Sequence, residues 1–351
     1  MTLAVIGAGV AVVALVAVIL GSRMTRVGTP PPTAVSSMAQ AAPGGRANPA
    51  SPTTAATADR PAATGTPGSA GASPSPAASP AASPSADPIL LGAGDIAVCD
   101  GKGDEATAAL LEAAPGIVFT LGDNAYDDGS AAQLRDCYGP SWGRVLARTK
   151  LVATGNHDIR TDDGSPEAAY FGSAAVRDGV TWFSEDVGAW HVIVLDANCD
   201  HLHGGCAADS AQVRWLTADL AANTARCTLA LWHQPRFSSG VHGNDRAVGP
   251  FWDALYAAGA DLVLNGHDHD YERFAPQDPS GAADSTRGIT ELVVGTGGAP
   301  LRGFATTASN SVVRSSTAHG IVELTLHPTG WDFRFVPTDG AFRDGGSGTC
   351  H

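Results

Sequence analysis

The sequence predicts an α/β domain in which two β-sheets pack against each other and helices flank them. Short apolar runs of four to seven residues recur along the chain, and this is the length of a buried strand. Stretches with helical spacing of their apolar residues lie between several of these runs, and alternation of strands with helices is typical of an α/β fold. Further strands that read as hairpins indicate a second sheet.

The first 26 residues are predicted to be a transmembrane signal anchor or a signal peptide. Residues 1–22 carry no charged side chain, and a helix of about 20 apolar residues can span the hydrocarbon layer. Arg23 and Arg26 follow this segment, so the positive-inside rule alone would place the rest of the chain in the cytoplasm. The linker and the cysteines favour the outside, and we therefore expect an extracytoplasmic domain, anchored or secreted.

Residues 27–88 are predicted to be a disordered linker. They contain 13 of the 23 prolines and no aromatic residue, and they repeat the unit AASP. A segment of this composition cannot bury a core, and Pro-rich chains are stiff and extended. We therefore expect one globular domain, residues 89–351, with membrane contact through the N-terminal helix only.

The globular part is acidic, and this limits the classes of partner that it can bind. It carries 17 basic and 33 acidic residues, a formal net charge of −16. A nucleic-acid-binding protein normally presents a basic face, so we expect no nucleic acid as a partner. A small anion can still bind such a protein if cations supply the local charge, and this combination favours a metal-dependent site.

Five apolar runs end in residues of the kind that bind metals. The runs are PILLGAGD ending at Asp95, GIVFTLGD ending at Asp123, KLVATGNHD with Asn156, CTLALWH ending at His233, and DLVLNGHDH with His267 and His269. In open α/β sheets ligands bind outside the carboxyl ends of the strands. A glycine just before such a residue lets the backbone turn tightly. We expect these side chains to converge.

The remaining elements lie between and after these runs. Helices are predicted at 104–113, 209–222 and 247–258, the last with a break near Pro250, and further strands at 181–187, 190–197, 289–295, 320–327 and 331–336. The strands at 181–187 and 190–197 read as a hairpin joined at Gly188.

The six cysteines predict disulfide bonds more readily than a zinc site. They form no CxxC pair, so a structural zinc site is not expected. Six cysteines allow 15 pairings, and the sequence does not choose among them. Cys199 and Cys206 flank a short Gly-containing loop and are the simplest local pair. The alternative is six buried thiols in a cytosolic enzyme.

The predicted ligand types suit a pair of cations. With Tyr126 added, the set has two Asp, one Asn, one Tyr and three His. A phenol has a pKa near 10 and binds well only to a strongly Lewis-acidic ion, for which ferric iron is the obvious candidate. If one Asp bridges, each of two metals receives four protein ligands and keeps open positions, as catalysis requires.

These motifs resemble the five ordered motifs of calcineurin-like metallophosphoesterases, and specifically the purple acid phosphatase branch. The resemblance rests on GD at Asp95, GDNAY from Asp123 to Tyr126, GNHD at Asn156, HQP at His233 and GHDHDYER from 266 to 273. Tyr126 and the YER sequence select the branch. Position 97 is Ala97, where the branch usually has glycine and the wider superfamily often has histidine.

The resemblance implies a fold and a set of roles. The fold is an αββα sandwich, and the activity is hydrolysis of small phosphate monoesters by a metal-bound hydroxide. The ferric site would contain Asp95, Asp123, Tyr126 and His269, and the divalent site, with Fe(II), Zn(II) or Mn(II), would contain Asp123, Asn156, His233 and His267, with Asp123 as the bridge. His157 and His242 match histidines that contact the phosphate and assist the leaving group.

Two other functions fit less of the sequence. A phosphodiesterase would use the same metal site, and the turnover of a monoester and a diester would separate the two. A non-catalytic surface module displayed on the linker would be expected to lack ligands, whereas here the set is complete. Three further features predict little. GTGG at 295–298 is a lone Gly-rich turn, and His201 and His203 suit a solvated loop better than a metal site. Arg236 and Arg273 could contact phosphate or form surface ion pairs, and the sequence does not choose.

Overall fold

A computed structural model describes residues 86–340 and 342–351 of the chain. The predicted anchor and almost all of the predicted linker lie outside these described residues. Within the described part, no helix combines the length and the hydropathy that crossing a bilayer requires.

The described residues form two mixed sheets with helices around them. The strands are β1 (Ile89–Ala93), β2 (Ile117–Leu121), β3 (Thr149–Ala153), β4 (Phe183–Val187), β5 (Trp190–Val194), β6 (Cys227–Leu231), β7 (Leu262–Asn265), β8 (Tyr271–Phe274), β9 (Thr290–Val294), β10 (Ser311–Ser315), β11 (Gly320–His327), β12 (Gly330–Pro337) and β13 (Gly345–Thr349). The α-helices are α1 (Gly103–Ala113), α2 (Ala131–Gln133), α3 (Ser165–Phe171), α4 (Ala211–Ala222) and α5 (Gly249–Ala258). Short π and 3-10 turns lie at Leu134–Tyr138, Trp142–Arg148, Asp162–Gly164 and Gly172–Ala174.

Each sheet has a parallel part that carries the candidate site. The six-stranded sheet runs β13-β12-β11-β1-β2-β3, and β1, β2 and β3 are parallel. The seven-stranded sheet runs β10-β8-β9-β7-β6-β5-β4, and β5, β6, β7 and β9 are parallel. Parallel neighbours need long crossovers, which the helices provide. As a result, the carboxyl ends of several strands meet at one edge of each sheet.

The two apolar clusters follow the layers. The larger cluster joins apolar side chains of both sheets, for example Leu91 and Phe119 of the first and Leu229 and Leu264 of the second, all fully buried. The smaller cluster packs the outer face of the seven-stranded sheet against α4 and α5. Continuous apolar strands such as β5 and β6 are therefore covered on both faces, as parallel strands usually are.

The predicted elements occur close to their expected bounds. The helices expected at 104–113 and 209–222 are α1 and α4, and the hairpin at Gly188 joins β4 to β5. The predicted break near Pro250 is wrong, because α5 begins at Gly249 and the proline lies in its first turn. A proline is tolerated there because the first helical N–H groups have no partner within the helix.

All six cysteines are paired. The bonds are Cys99–Cys137, Cys199–Cys206 and Cys227–Cys350. The predicted local pair is thus confirmed, and the reading of six buried thiols does not hold. The third bond joins the start of β6 to the residue that follows β13, across a sequence separation of 123 residues.

Candidate metal centre

The predicted ligands come from strand ends of both sheets. Asp95, Asp123 and Asn156 follow β1, β2 and β3 in the six-stranded sheet, and the histidines follow β6 and β7 in the seven-stranded sheet. Carboxylate oxygens of Asp95 and Asp123 and a ring nitrogen of His233 lie within 4.8 Å of one another, all in buried residues. Residues separated by more than a hundred positions thereby share one site.

Three of these residues have an unusual backbone. The φ angle is 59° at Asp95, 52° at Asp123 and 72° at His267. L-residues avoid this left-handed region, at a cost of roughly 1–2 kcal/mol per residue. Strain of this kind accumulates at functional sites, where the surrounding structure holds it in place. Here it lies where the chain leaves β1, β2 and β7.

The side chain of Tyr126 contacts the other three predicted ligands of the ferric site directly. Its hydroxyl donates to Asp95 Oδ1 at 2.8 Å and lies 3.0 Å from Asp123 Oδ2 and 3.1 Å from His269 Nε2. Its backbone N–H donates to the carbonyl of Ala97 at 2.8 Å, so alanine at that position is compatible with the local turn. The four residues expected around the ferric ion are therefore in mutual contact.

Two histidines are oriented by backbone carbonyls. Nδ1 of His233 lies 2.6 Å from the carbonyl oxygen of Leu121, and Nδ1 of His269 lies 2.9 Å from that of Pro300. A carbonyl only accepts, so both Nδ1 atoms carry the hydrogen and Nε2 is left to face the site. Nε2 of His233 is 3.3 Å from Asp123 Oδ1, and Nε2 of His269 is 3.3 Å from Asp95 Oδ1.

Two further observations test whether the site fits a cation. Nδ1 of His267 faces Nε2 of His233 at 3.2 Å, so two imidazole nitrogens converge beside the carboxylates. The side-chain oxygen of Asn156 is buried and has no hydrogen-bond partner among the described residues. An oxygen without a donor, together with converging imidazoles and two carboxylates, is the arrangement that cations stabilise. The donor set therefore fits metal ions.

Burial and charge shift the pKa values of several titrating groups here. At Asp123 burial raises the pKa, but the charges of His233 and His157 outweigh it and the pKa is lowered. At His233 burial lowers the pKa, but Asp123 and Asp95 outweigh it and raise the pKa to about 10. Burial and neighbouring imidazoles lower the pKa of His267 to about 3. Burial and the nearby carboxylates hold the pKa of Tyr126 well above its usual value of 10.0.

Glycines allow the strand ends to approach each other. A Cβ atom at Gly155 would collide with the backbone nitrogen and a carboxylate oxygen of Asp123. Gly122 has a φ of 86°, and a Cβ there would lie 2.7 Å from Nδ1 of His233. Gly122 and Gly155, which directly precede Asp123 and Asn156, are therefore steric requirements of the site.

The two predicted phosphate-contacting histidines lie on either side of this cluster. The backbone N–H of His157 donates to Asp123 Oδ1 at 2.8 Å, and its ring Nδ1 lies 2.6 Å from the carbonyl of Asp127. The ring of His242 packs on His267 with centroids 4.3 Å apart. Nη1 of Arg302 donates to Nε2 of His242 at 2.8 Å, so in this arrangement that atom accepts a hydrogen bond.

Arg302 and the loop before it were missed by sequence reasoning. Ala299 N donates to the carbonyl of Asp95, Pro300 O orients His269, and Arg302 N donates to the carbonyl of His269. The signal was the GTGG run at 295–298, whose Gly295 has no room for a Cβ beside Asp95. This run packs against the candidate metal centre.

Arg273 has a structural contact. Its guanidinium binds Asp344 at 2.7 and 3.1 Å, and Tyr271 donates to the same carboxylate at 2.7 Å. The YER sequence therefore ties β8 to the segment before β13.

Two mixed sheets that meet at a buried cluster of carboxylates and imidazoles define a metallophosphoesterase. The family model described as calcineurin-like phosphoesterase matches residues 90–271, slightly more than half of the chain. The chain belongs to the calcineurin-like phosphoesterase family.

Relatives indicate the branch within this family. Purple acid phosphatase 15 of Arabidopsis thaliana is 25% identical over 200 residues, covering 47% of this chain and 37% of the relative. Acid phosphatase type 7 of Homo sapiens is 29% identical over 180 residues, covering 45% and 41%. The chain thus spans less than half the length of these curated relatives. The match to the Arabidopsis protein supports the purple acid phosphatase-like branch, and both relatives are named as acid phosphatases.

Solved structures share the fold. Purple acid phosphatase from yellow lupin (Lupinus luteus) seeds superposes with a TM-score of 0.59 at 18% identity, covering 76% of this chain and 54% of that one. GAP50 of Plasmodium, named as the anchor in the inner membrane complex, gives 0.57 at 15% identity, covering 76% and 89%. The family likeness implies a dinuclear metal site.

Proposed function

We propose that the chain hydrolyses phosphate monoesters outside the cytoplasm with the help of two metal ions. The observation that carries the proposal is the meeting of the ends of β1, β2, β6 and β7 around one buried cluster of ligand-type side chains. The purple acid phosphatases among the relatives point to the same chemistry.

The ligands divide into two sets around a shared carboxylate. A ferric ion would be held by Asp95, Asp123, Tyr126 and His269, and a divalent ion, Fe(II), Zn(II) or Mn(II), by Asp123, Asn156, His233 and His267. Two such ions would supply Lewis acidity for a phosphoryl group and lower the pKa of water at the site. The contacts of Tyr126 with Asp95 and His269 favour the first set.

Side chains around this centre would bind and orient the phosphate. Nε2 of His157 lies 3.8 Å from Asp123 Oδ2, close enough to contact a phosphoryl oxygen held at the centre. On the other side, Arg302 has N–H groups beyond the one bound to His242. A guanidinium at this rim would place positive charge beside a phosphate dianion. His242 would hold Arg302 at this rim, and it would assist the departing oxygen only when protonated at Nε2, in place of the bond from Arg302.

Disulfide bonds support a location outside the cytoplasm. Three of them form among the described residues, and such bonds persist mainly in oxidising compartments. We propose that residues 1–26 direct or anchor the chain and that residues 27–88 separate the membrane from a catalytic domain at 89–351.

Loss of the bridging carboxylate tests the proposal. In the full chain, Asp123→Asn should lower kcat/KM for p-nitrophenyl phosphate by more than ~100-fold, because even partners that merely orient metal ligands cost 10–100-fold. The exposed Asp100→Asn is the matched control and should retain activity. Unchanged turnover in Asp123→Asn would refute the proposed centre. Faster turnover of bis(p-nitrophenyl) phosphate than of the monoester would reassign the chain as a phosphodiesterase.

A further inference from the structure

The loop between β6 and α5 carries His242 and has no regular secondary structure. It runs from residue 232 to residue 248, all of which the structure describes, and no helix or strand lies within it. Its middle is buried, with Ser238 and Ser239 exposed by only 2% and 0%. The chain then emerges at Val241, which is 50% exposed, and the ring of His242 packs on His267. Contacts other than a helix or a sheet must therefore fix the place where His242 emerges.

Buried carboxylates hold this loop by accepting hydrogen bonds from it. Glu272 Oε2 accepts from the N–H of Ser239 at 2.7 Å, and Oε1 accepts from the hydroxyl of the same serine at 2.5 Å. Asp268 accepts from the N–H of His242 at 2.9 Å and from the hydroxyl of Ser238. Both carboxylates are fully buried. Hydrogen bonds to a carboxylate are stronger than those between neutral groups, so the loop is firmly held at these two points.

The direction of the Glu272 side chain follows from its place in β8. Tyr271 and Arg273 on either side of it both bind Asp344. Successive side chains of a strand point to opposite faces, so Glu272 points away from Asp344 and reaches Ser239 instead. The same short strand thus contacts the segment before β13 on one face and the loop after β6 on the other.

Ser239 also contacts the loop that carries Arg302. Its carbonyl accepts from the N–H groups of residues 305 and 306 at 3.0 and 3.2 Å. Its hydroxyl oxygen accepts from the N–H of Ala308 at 2.8 Å. Arg302, earlier in the same loop, donates to His242. This serine therefore joins the two loops whose side chains meet at the His242–Arg302 hydrogen bond.

We propose that Glu272 is a positioning residue for the hydrolysis: through Ser239 it holds the His242 loop and the Arg302 loop so that both side chains face a phosphate at the metal centre. This inference rests on the proposed phosphatase function. Both carboxylate oxygens of Glu272 bind Ser239, which is not a predicted ligand, so Glu272 acts through another residue. Displacing a group that contacts substrate by 1 Å can cost on the order of 100-fold in rate.

The variant Glu272→Gln tests this role. The amide keeps the size of the side chain but replaces one acceptor oxygen by an NH2 group, so one of the two bonds to Ser239 is lost. In the metal-loaded full chain, kcat/KM for p-nitrophenyl phosphate should fall by at least about tenfold, while elemental analysis finds the metal content unchanged. Glu323→Gln is the matched control and should retain kcat/KM, because its carboxylate binds Arg334 in the other sheet.

Removal of the positioned pair separates positioning from a general structural role. In a His242→Ala, Arg302→Ala background, the groups that Glu272 positions are absent, so Glu272→Gln should lower kcat/KM by no more than about twofold. Ser239→Ala keeps its N–H bond to Glu272 and loses only the bonds of the hydroxyl. It should show the same pattern with a smaller loss, and it provides the test if Glu272→Gln does not fold.

The outcomes separate this inference from the proposed function. An equal loss of kcat/KM in both backgrounds, or no loss in Glu272→Gln, would overturn the positioning role while leaving a phosphatase. Loss of metal together with activity in Glu272→Gln would also overturn it, because the effect would then arise at the metal centre. If the wild type hydrolyses no phosphate ester, the proposed function fails and the positioning role is rejected with it.

Discussion

At the scale of single residues, the hydroxyl of Tyr126 distinguishes the two proposed metal positions. It lies among Asp95, Asp123 and His269, which are the proposed ferric ligands. The purified holoprotein should therefore absorb visible light through phenolate-to-iron charge transfer, and Tyr126→Phe should lose this band while keeping a divalent ion. Tyr256→Phe, whose hydroxyl binds Asp284, is the control and should keep the band. An unchanged band in Tyr126→Phe would remove Tyr126 from the ligand set.

Gly155 sets how closely β3 approaches the end of β2. Since a Cβ atom there would collide with Asp123, Gly155→Ala should displace the bridging carboxylate and reduce bound metal and phosphatase activity together. Gly303→Ala is the matched control, because a Cβ there has open space around it. Elemental analysis would measure the metal content of both variants. Full metal content in Gly155→Ala would show that the carboxylate tolerates the displacement.

His191 makes stability depend on pH away from the metal centre. Burial lowers its pKa, but hydrogen bonds to Asp219 and Asp186 outweigh burial and raise it. A raised pKa means that the charged ring stabilises the fold fully below its unfolded pKa, near 6.5, and that this contribution is lost as pH rises through the folded pKa. Burial raises the pKa of Asp219, but its hydrogen bonds to His191 and Ser184 outweigh burial, and the pKa is lowered. Protonation of Asp219 therefore sets the lower end of the pH range in which the ion pair stabilises the fold.

His191→Gln should therefore reduce stability most between about pH 4 and 6.5, and the difference from the wild type should shrink at higher pH. Unfolding in urea as a function of pH measures this difference. The exposed His203→Gln should leave the pH dependence unchanged. A difference that grows above pH 7 would contradict the assigned ion pair.

At the scale of elements, the Cys227–Cys350 bond ties the start of β6, the strand that precedes His233, to the residue after β13. In the chain-entropy view, a bond that closes a loop of this length stabilises by about 5 kcal/mol, and native disulfides typically contribute 2–5 kcal/mol. A Cys227→Ser, Cys350→Ser double variant should lose stability in that range, measured by denaturant unfolding. The Cys199–Cys206 pair, with a separation of 7 residues, should matter less. Equal losses for the two pairs would contradict the loop-length argument.

The elements also show what could be predicted from the sequence and what could not. β1, β2, β3, β6 and β7 were predictable because each is an apolar run ended by a glycine and a ligand-type residue, or by a histidine. The break predicted near Pro250 was wrong because proline breaks helices in general yet suits their first turn. Arg302 could not be predicted, since its position depends on a loop whose hydrogen bonds to Asp95 and His269 have no counterpart in local sequence spacing.

At the scale of the whole molecule, the arrangement of the two sheets brings the chemistry together. One sheet supplies the carboxylates, the amide and the phenol, and the other supplies the three imidazoles. The globular part is strongly acidic, so in the proposed function a negatively charged ester would depend on the cations and on Arg302 for attraction. This dependence would link substrate binding to metal content.

The metal content of the full chain tests the account most directly. Elemental analysis of the purified protein, alongside Asp123→Asn and the control Asp100→Asn, would count the ions for each chain. The account predicts about two metal ions per chain in the wild type and the control, one of them iron, and the loss of both in Asp123→Asn, because that carboxylate bridges them. Wild-type protein that binds no metal, or an Asp123→Asn variant that keeps both ions, would contradict the account.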